Sequence, residues 1–249
     1  MIILQILALS LLGWLLGSLI NYIADVLPTT RKLGQAQCAG CSKPRSLADY
    51  LLARACGGCG QRRSVRTWVV QIAAVVIILA HWYYPYARTG FWAGIVMLTY
   101  FAVVAVIDIE HRLILYVESA FGAVLGLIIG VWLHGWLPTL IGGLAGLLMM
   151  ASMYLLGFGL AKLFGKIRGR PIEEDAMGFS DILLCAVLGL ILGWPGIAAG
   201  VIYTIFIAGA GSVLILMYQA ARKTYQPFAA VAYGPYMLLA AVLLLYWPK

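Results

Sequence analysis

The sequence predicts an all-α polytopic membrane bundle of about eight transmembrane helices, with one small cytoplasmic loop domain of zinc-knuckle type. Three observations carry this. Hydrophobic residues make up 63% of the 249 and charged residues only 10%, against about 45–50% and about 25% in ordinary soluble domains. A globule of this length has too little interior to hide so much apolar surface, so a soluble protein is excluded. The apolar residues fall in long runs, and a lipid-embedded backbone is satisfied within helices. Finally, four of the five cysteines lie in the single long polar segment, 28–67. No low-complexity tract or short repeat points to disorder or a coiled coil.

Taken in order, the apolar runs lie near 2–27, 68–86, 90–108, 113–133, 137–163, 181–194, 196–221 and 230–247. The first lacks a basic flank and a small-residue cleavage site, so it is expected to be a retained span rather than a signal peptide. Within it, Asn21 is expected to bond to a neighbouring helix, with Asp25 near the cytoplasmic end. Gly122, Gly126 and Gly130 recur every fourth residue, as do Gly142 with Gly146 and Gly189 with Gly193. That spacing predicts close helix packing. Met149, Met150, Met153 and Cys185 read as core filler, and His81 and His134 as structural.

The net charge is +8. Alternating the spans across a bilayer places 15 of the 17 basic residues on one side, leaving Arg88 and Lys249 on the other. Cytoplasmic loops carry the Lys/Arg excess, so that side is expected to be cytoplasmic and both termini outside. The basic excess then reports orientation and contact with anionic lipid, not nucleic-acid binding.

Cys38-Ala-Gly-Cys41 and Cys56-Gly-Gly-Cys59 form two C-x-x-C pairs separated by 14 residues. This is the spacing of a four-thiolate zinc site, closed and therefore structural. Two disulfides or a redox dithiol are the competing reading, and a reducing cytoplasm disfavours disulfides.

Acids are few and therefore informative. Asp108 lies where one span meets the cytoplasmic side, and Asp181 opens a later span on the same side. Ionisable groups at membrane depth are functional candidates. Two carboxylates brought together hold one proton between them, the arrangement used to activate water against a peptide bond. The blander readings are an interfacial polar residue for Asp108 and a helix N-cap, with Ser180, for Asp181. A transporter would more often show acids at mid-membrane and repeated halves. Neither a Glu-x-x-His metal site nor a G-x-S-x-G elbow is present.

Several short motifs occur in order along nearly the whole chain: Gly17-Ser18-Leu19-Ile20-Asn21, the four cysteines, Ile107-Asp108-Ile109-Glu110-His111-Arg112-Leu113, Met177-Gly178-Phe179-Ser180-Asp181, and Tyr233-Gly234-Pro235-Tyr236. In these the sequence resembles the type IV prepilin peptidases, GxGD-type intramembrane aspartic proteases that also N-methylate their product. The resemblance implies that Asp108 and Asp181 are the catalytic pair, supported by Gly178, Ser180 and Pro235. It implies a bacterial inner-membrane enzyme whose substrates are prepilins or pseudopilins of type IV pili and type II secretion, with a basic leader and an apolar helix. Cleavage would follow a glycine at the cytoplasmic face, and S-adenosylmethionine would then methylate the new N-terminus. Glu173, Glu174 and Asp175 would offset the positive face where the leader enters. The implied organisation is a first span over 1–27, a four-cysteine domain associated with N-methylation over 28–67, and a transmembrane peptidase domain over 68–249.

The chain departs from the family pattern at three places. Ser180 replaces a glycine that would permit close approach or a positive φ, Leu115-Tyr116 replaces a Pro-Asp or Pro-Asn pair, and Leu183 replaces a lysine. These departures leave a second expectation, a degenerate relative that binds prepilins or scaffolds an assembly.

Overall fold

The computed structural model describes residues 2–38, 40–85, 89–168, 178–222 and 232–246. Among them it forms helices α1 (Ile2–Thr30), α2 (Leu47–Leu51), α3 (Val65–Tyr83), α4 (Gly90–His111), α5 (Tyr116–His134), α6 (Trp136–Arg168), α7 (Phe179–Leu192), α8 (Gly196–Ala221) and α9 (Gly234–Tyr246). The described residues contain no strand, only an isolated bridge between Gln37 and Pro44. Helices α1, α3, α4, α5, α6 and α8 are long and apolar enough to cross a membrane, whereas α7 and α9 are shorter apolar helices. Each expected span is thus met by one helix, and the chain is an integral membrane protein. Two compact units divide it, 1–107 and 108–249, with the boundary inside α4.

In the first unit α1 packs along α3 because α1 offers glycine at the contact. A Cβ on Gly13 would lie 2.6 Å from Val75 Cα, and one on Gly17 would lie 3.1 Å from Gln71 Cα. Buried polar groups lock the register. Gln71 Nε2 donates to Trp14 O at 2.9 Å and to Ser18 Oγ at 2.8 Å, and Asn21 Nδ2 donates to Thr67 O at 3.2 Å. Asn21 therefore bonds to its neighbour as its place in the sequence predicts. Such interhelical bonds contribute about 0.6 kcal/mol each on average, and the close glycine packing adds to them. Leu9, Ile78 and Ile95 form an apolar cluster further along.

The polar loop is tied to the same helices. Tyr50 Oη donates to Asp25 Oδ2 at 2.8 Å, while Arg63 (3.4 Å) and Arg66 pair with the same carboxylate. Arg63 also stacks 4.0 Å from the centre of the Tyr50 ring. Val26, Ala36 and Tyr50 form a small core beneath.

In the second unit α7 is wedged between α5 and α6, and glycines make room for it. A Cβ on Gly142 or Gly189 would collide with the backbone of the other helix, and a Cβ on Gly146 would collide with Cys185 O. On the other side, Gly130 faces Leu190 O and Gly126 faces Val187 O. The four-residue glycine spacing of the sequence is therefore contact surface on both flanks of α7, and Gly193, with φ 66°, turns the chain from α7 toward α8. Gly142→Ala is expected to destabilise the protein by about 1–3 kcal/mol through overpacking, read as a lower unfolding temperature in detergent. Gly157→Ala, where a Cβ meets nothing within 4 Å, is expected to be neutral or slightly stabilising; equal losses at both positions would contradict the wedge.

Candidate functional site

Helix α4 ends because Arg112 turns left-handed (φ 51°), its N–H closing the last bond on Asp108 O at 2.8 Å. Asp108 thus sits in the final turn of α4, and it is only 4% exposed. Its Oδ2 accepts the N–H of Gly234 at 3.0 Å, from the first residue of α9. A Cβ on Gly234 would lie 2.5 Å from that oxygen, so only glycine allows this approach. Pro235 follows and has no N–H to offer, which is tolerated in the first turn of a helix; the amide that meets Asp108 is that of Gly234.

Asp181 lies in the first turn of α7 and is buried. It is not the N-cap of that helix. Gly178 is the cap, in extended conformation, and Asp181 reaches back so that its Oδ2 accepts the Gly178 N–H at 3.0 Å. Ser180 falls inside the same helical turn and is not among the residues of positive φ. The conformational reason for glycine at that position is therefore absent, and a serine side chain is accommodated.

A third acid completes the group and was not singled out by the sequence motifs. Glu118, in the first turn of α5, is 4% exposed. Its Oε2 accepts the N–H of the N-cap residue, Leu115, at 3.1 Å. The signal was available: Glu118 lies inside an apolar run, where an ionisable side chain is uncommon.

Asp108 lies near enough to both Glu118 and Asp181 for its charge to act on each. Each gives one oxygen to a backbone amide at a helix N-terminus: Asp108 at α9, Glu118 at α5 and Asp181 at α7. Those amides have no partner within their own helix, and the N-terminal end of a helix carries partial positive charge. Among the described residues, these amides and no basic side chain are seen to hold the three carboxylates. Glu173, Glu174 and Asp175 lie outside the described residues.

The four cysteines of the first unit also converge. Cys38, Cys41, Cys56 and Cys59 place their sulfurs within 4.8 Å of one another. Cys38 Sγ lies 3.6 Å from Cys59 Sγ, and Cys41 Sγ lies 3.5 Å from Cys56 Sγ. The two turns are built alike. Cys38 N–H bonds to Lys43 O and Cys56 N–H to Gln61 O, while Ser42 and Gly60 return their N–H groups to the Cys38 and Cys56 carbonyls. Ser42 and Gly60 occupy equivalent left-handed positions, at φ 55° and 71°. All four thiols are free. Arg45 Nη2 donates to Cys38 Sγ at 3.5 Å and, with the backbone at Gly40, lowers that thiol to about 5. Backbone amides at Cys59 and Gly58 also lower Cys56. A tetrahedral ion with metal–sulfur bonds of about 2.3 Å sets its sulfurs about 3.8 Å apart, so the cluster fits and could hold a metal ion.

Comparison with known proteins places the chain in a family. The model of the type IV leader peptidase family matches residues 92–217, about half of the chain and inclusive of Asp108, Glu118 and Asp181. A prepilin leader peptidase/N-methyltransferase of Pectobacterium carotovorum subsp. carotovorum is 28% identical over 191 residues, covering 74% of this chain and 61% of that protein. A protein of the same name from Pseudomonas putida is 24% identical over 276 residues, covering 96% of this chain and 89% of that protein. The chain thus spans less than two thirds of the first relative's length and most of the second's. No solved structure matches. With a family model covering half of its residues, this chain belongs to the type IV leader peptidase family.

Proposed function

We propose that the protein is an aspartyl endopeptidase of the bacterial inner membrane that removes the leader of type IV prepilins or pseudopilins, with Asp108 and Asp181 as the catalytic pair. The observation that carries this reading is the gathering of the two carboxylates in one buried place, each fixed by a helix N-terminal amide. Two such groups do not both ionise near neutral pH, because each charge penalises the other. The pair shares one proton and titrates as a unit. The ionised member takes a proton from water as the water oxygen bonds to the scissile carbonyl carbon. The protonated member gives its proton to the carbonyl oxygen. The tetrahedral intermediate then collapses as the C–N bond breaks, and a proton passes from the dyad to the leaving nitrogen.

The helical placement of Ser180 favours an active enzyme over a degenerate one. In this reading the first span covers 1–27, the four-cysteine domain 28–67 and the peptidase domain 68–249. Cleavage occurs at the cytoplasmic face, the loop lies on that side and both termini lie outside. Glu173, Glu174 and Asp175 meet the basic leader. Zinc is held by Cys38, Cys41, Cys56 and Cys59, where it clamps the loop and leaves no open position for catalysis. S-adenosylmethionine would donate the methyl group to the new N-terminus; the described residues supply no donor set that marks its pocket.

Purified protein in detergent or lipid is expected to cleave a prepilin-like peptide with a basic leader. Asp108→Asn and Asp181→Asn are each expected to lower kcat by at least about 10²-fold, the size of a lost general acid or base. Cleavage surviving either change, or absent from the wild type, would remove the reading. Gly234→Ala is expected to lower kcat by about tenfold to about a hundredfold while the fold persists. Its methyl group displaces the amide that bonds to Asp108, a charged hydrogen bond of about 1.5–3 kcal/mol. Elemental analysis is expected to find one zinc per chain. Chelation or Cys41→Ser is expected to expose the 28–67 loop to proteolysis before the helices; a loop equally resistant without metal would contradict the structural role.

A further inference from the structure

Glu118 has one oxygen bound and one not. Oε2 is held by the Leu115 amide, whereas Oε1 is buried and has no hydrogen-bond partner among the described residues. The next residue, Ser119, is 7% exposed, and its hydroxyl is likewise without a partner among the described residues. A buried polar atom left unpaired costs about 1–3 kcal/mol, more when charged. The cost is incurred close to Asp108, whose charge reaches Glu118. Anchoring through Oε2 also fixes the direction of the carboxyl group, so Oε1 is a prepared acceptor.

A peptide cleaved here supplies the matching donor. An α-helix shields its carbonyl carbons from attack, so the segment around the scissile bond must unwind. Unwinding frees N–H groups that water cannot satisfy at membrane depth. Building on the peptidase reading above, we propose that Glu118 is a substrate-binding residue whose Oε1 accepts the N–H of an unwound substrate residue flanking the scissile bond. The contact involves backbone only, so it serves substrates of differing side chains. It is broken when the cleaved chain refolds into helix and withdraws its N–H.

The test compares wild type and Glu118→Gln on peptide substrates in which one amide at a time, other than the scissile one, is replaced by an ester. An ester removes a single N–H without adding bulk. Glutamine has one acceptor oxygen, which the Leu115 amide takes, so its NH₂ group then faces the substrate N–H. Glu118→Gln is expected to raise KM about tenfold, a lost hydrogen bond to a charged group, with kcat within about twofold. One ester position is expected to raise KM similarly in wild type and to have no further effect in Glu118→Gln. An unchanged KM in Glu118→Gln, a fall in kcat at constant KM, or additive ester and Gln effects would each overturn the proposal. If Glu118→Gln does not fold, the wild-type ester series decides: a loss confined to one flanking position supports the contact, and a flat profile overturns it. Wild type that cleaves normally beside an unaffected Glu118→Gln removes this inference alone. Wild type that does not cleave removes the peptidase reading and the inference with it.

Discussion

The site depends on one interaction repeated three times: a carboxylate oxygen taken by a free amide at the start of a helix. Gly234 serves Asp108, Gly178 serves Asp181, and Leu115 serves Glu118. In an apolar setting these acids need stabilisation, and a basic side chain would neutralise them as reagents. Helix ends supply partial positive charge without a transferable proton. Each bond also fixes one oxygen and so directs the other. Asp108 differs from its companions because its amide comes from a distant part of the chain, so its geometry depends on how α9 docks.

The packing of α7 rests on shape more than on polarity. Glycines on α5 and α6 let α7 approach to backbone contact on both sides, which fixes the height of Asp181 relative to α5 and hence to Glu118. Between lipid-exposed helices the hydrophobic effect supplies little net attraction, so close packing must do what burial does in water. The glycine content of this chain, 28 residues, is thus linked to the precision of a site that contains none of the contact glycines except Gly234.

Much of this was legible in the sequence for stated physical reasons. Spans show in apolar runs, α7 packing shows in glycine spacing, and the sulfur cluster shows in C-x-x-C pairs, because each depends on residue type at short range. The limits are equally specific. The bond from Gly234 to Asp108 joins residues 126 positions apart and uses a main-chain group common to nearly every residue, so nothing in its side chain announces it. A glycine in place of Ser180 would permit a positive φ, yet the position is helical and does not need one. Asp181 reads as a cap from its place before an apolar run, but the chain caps three residues earlier and the aspartate reaches back. Glu118 belongs to none of the short motifs, although an acid inside an apolar run carries its own signal.

The length of α7 has one further consequence. Its 14 residues rise about 21 Å, while a bilayer's hydrocarbon layer is about 30 Å deep. A helix with that mismatch, flanked by longer neighbours, draws headgroups inward or leaves a wet dimple at one of its ends. If the dimple forms over Phe179, water reaches Asp181 from the surface, and under the proposed peptidase reading the lipid rather than a protein tunnel would supply the second reactant. Thicker bilayers would then deepen the well and change its hydration without altering a single residue.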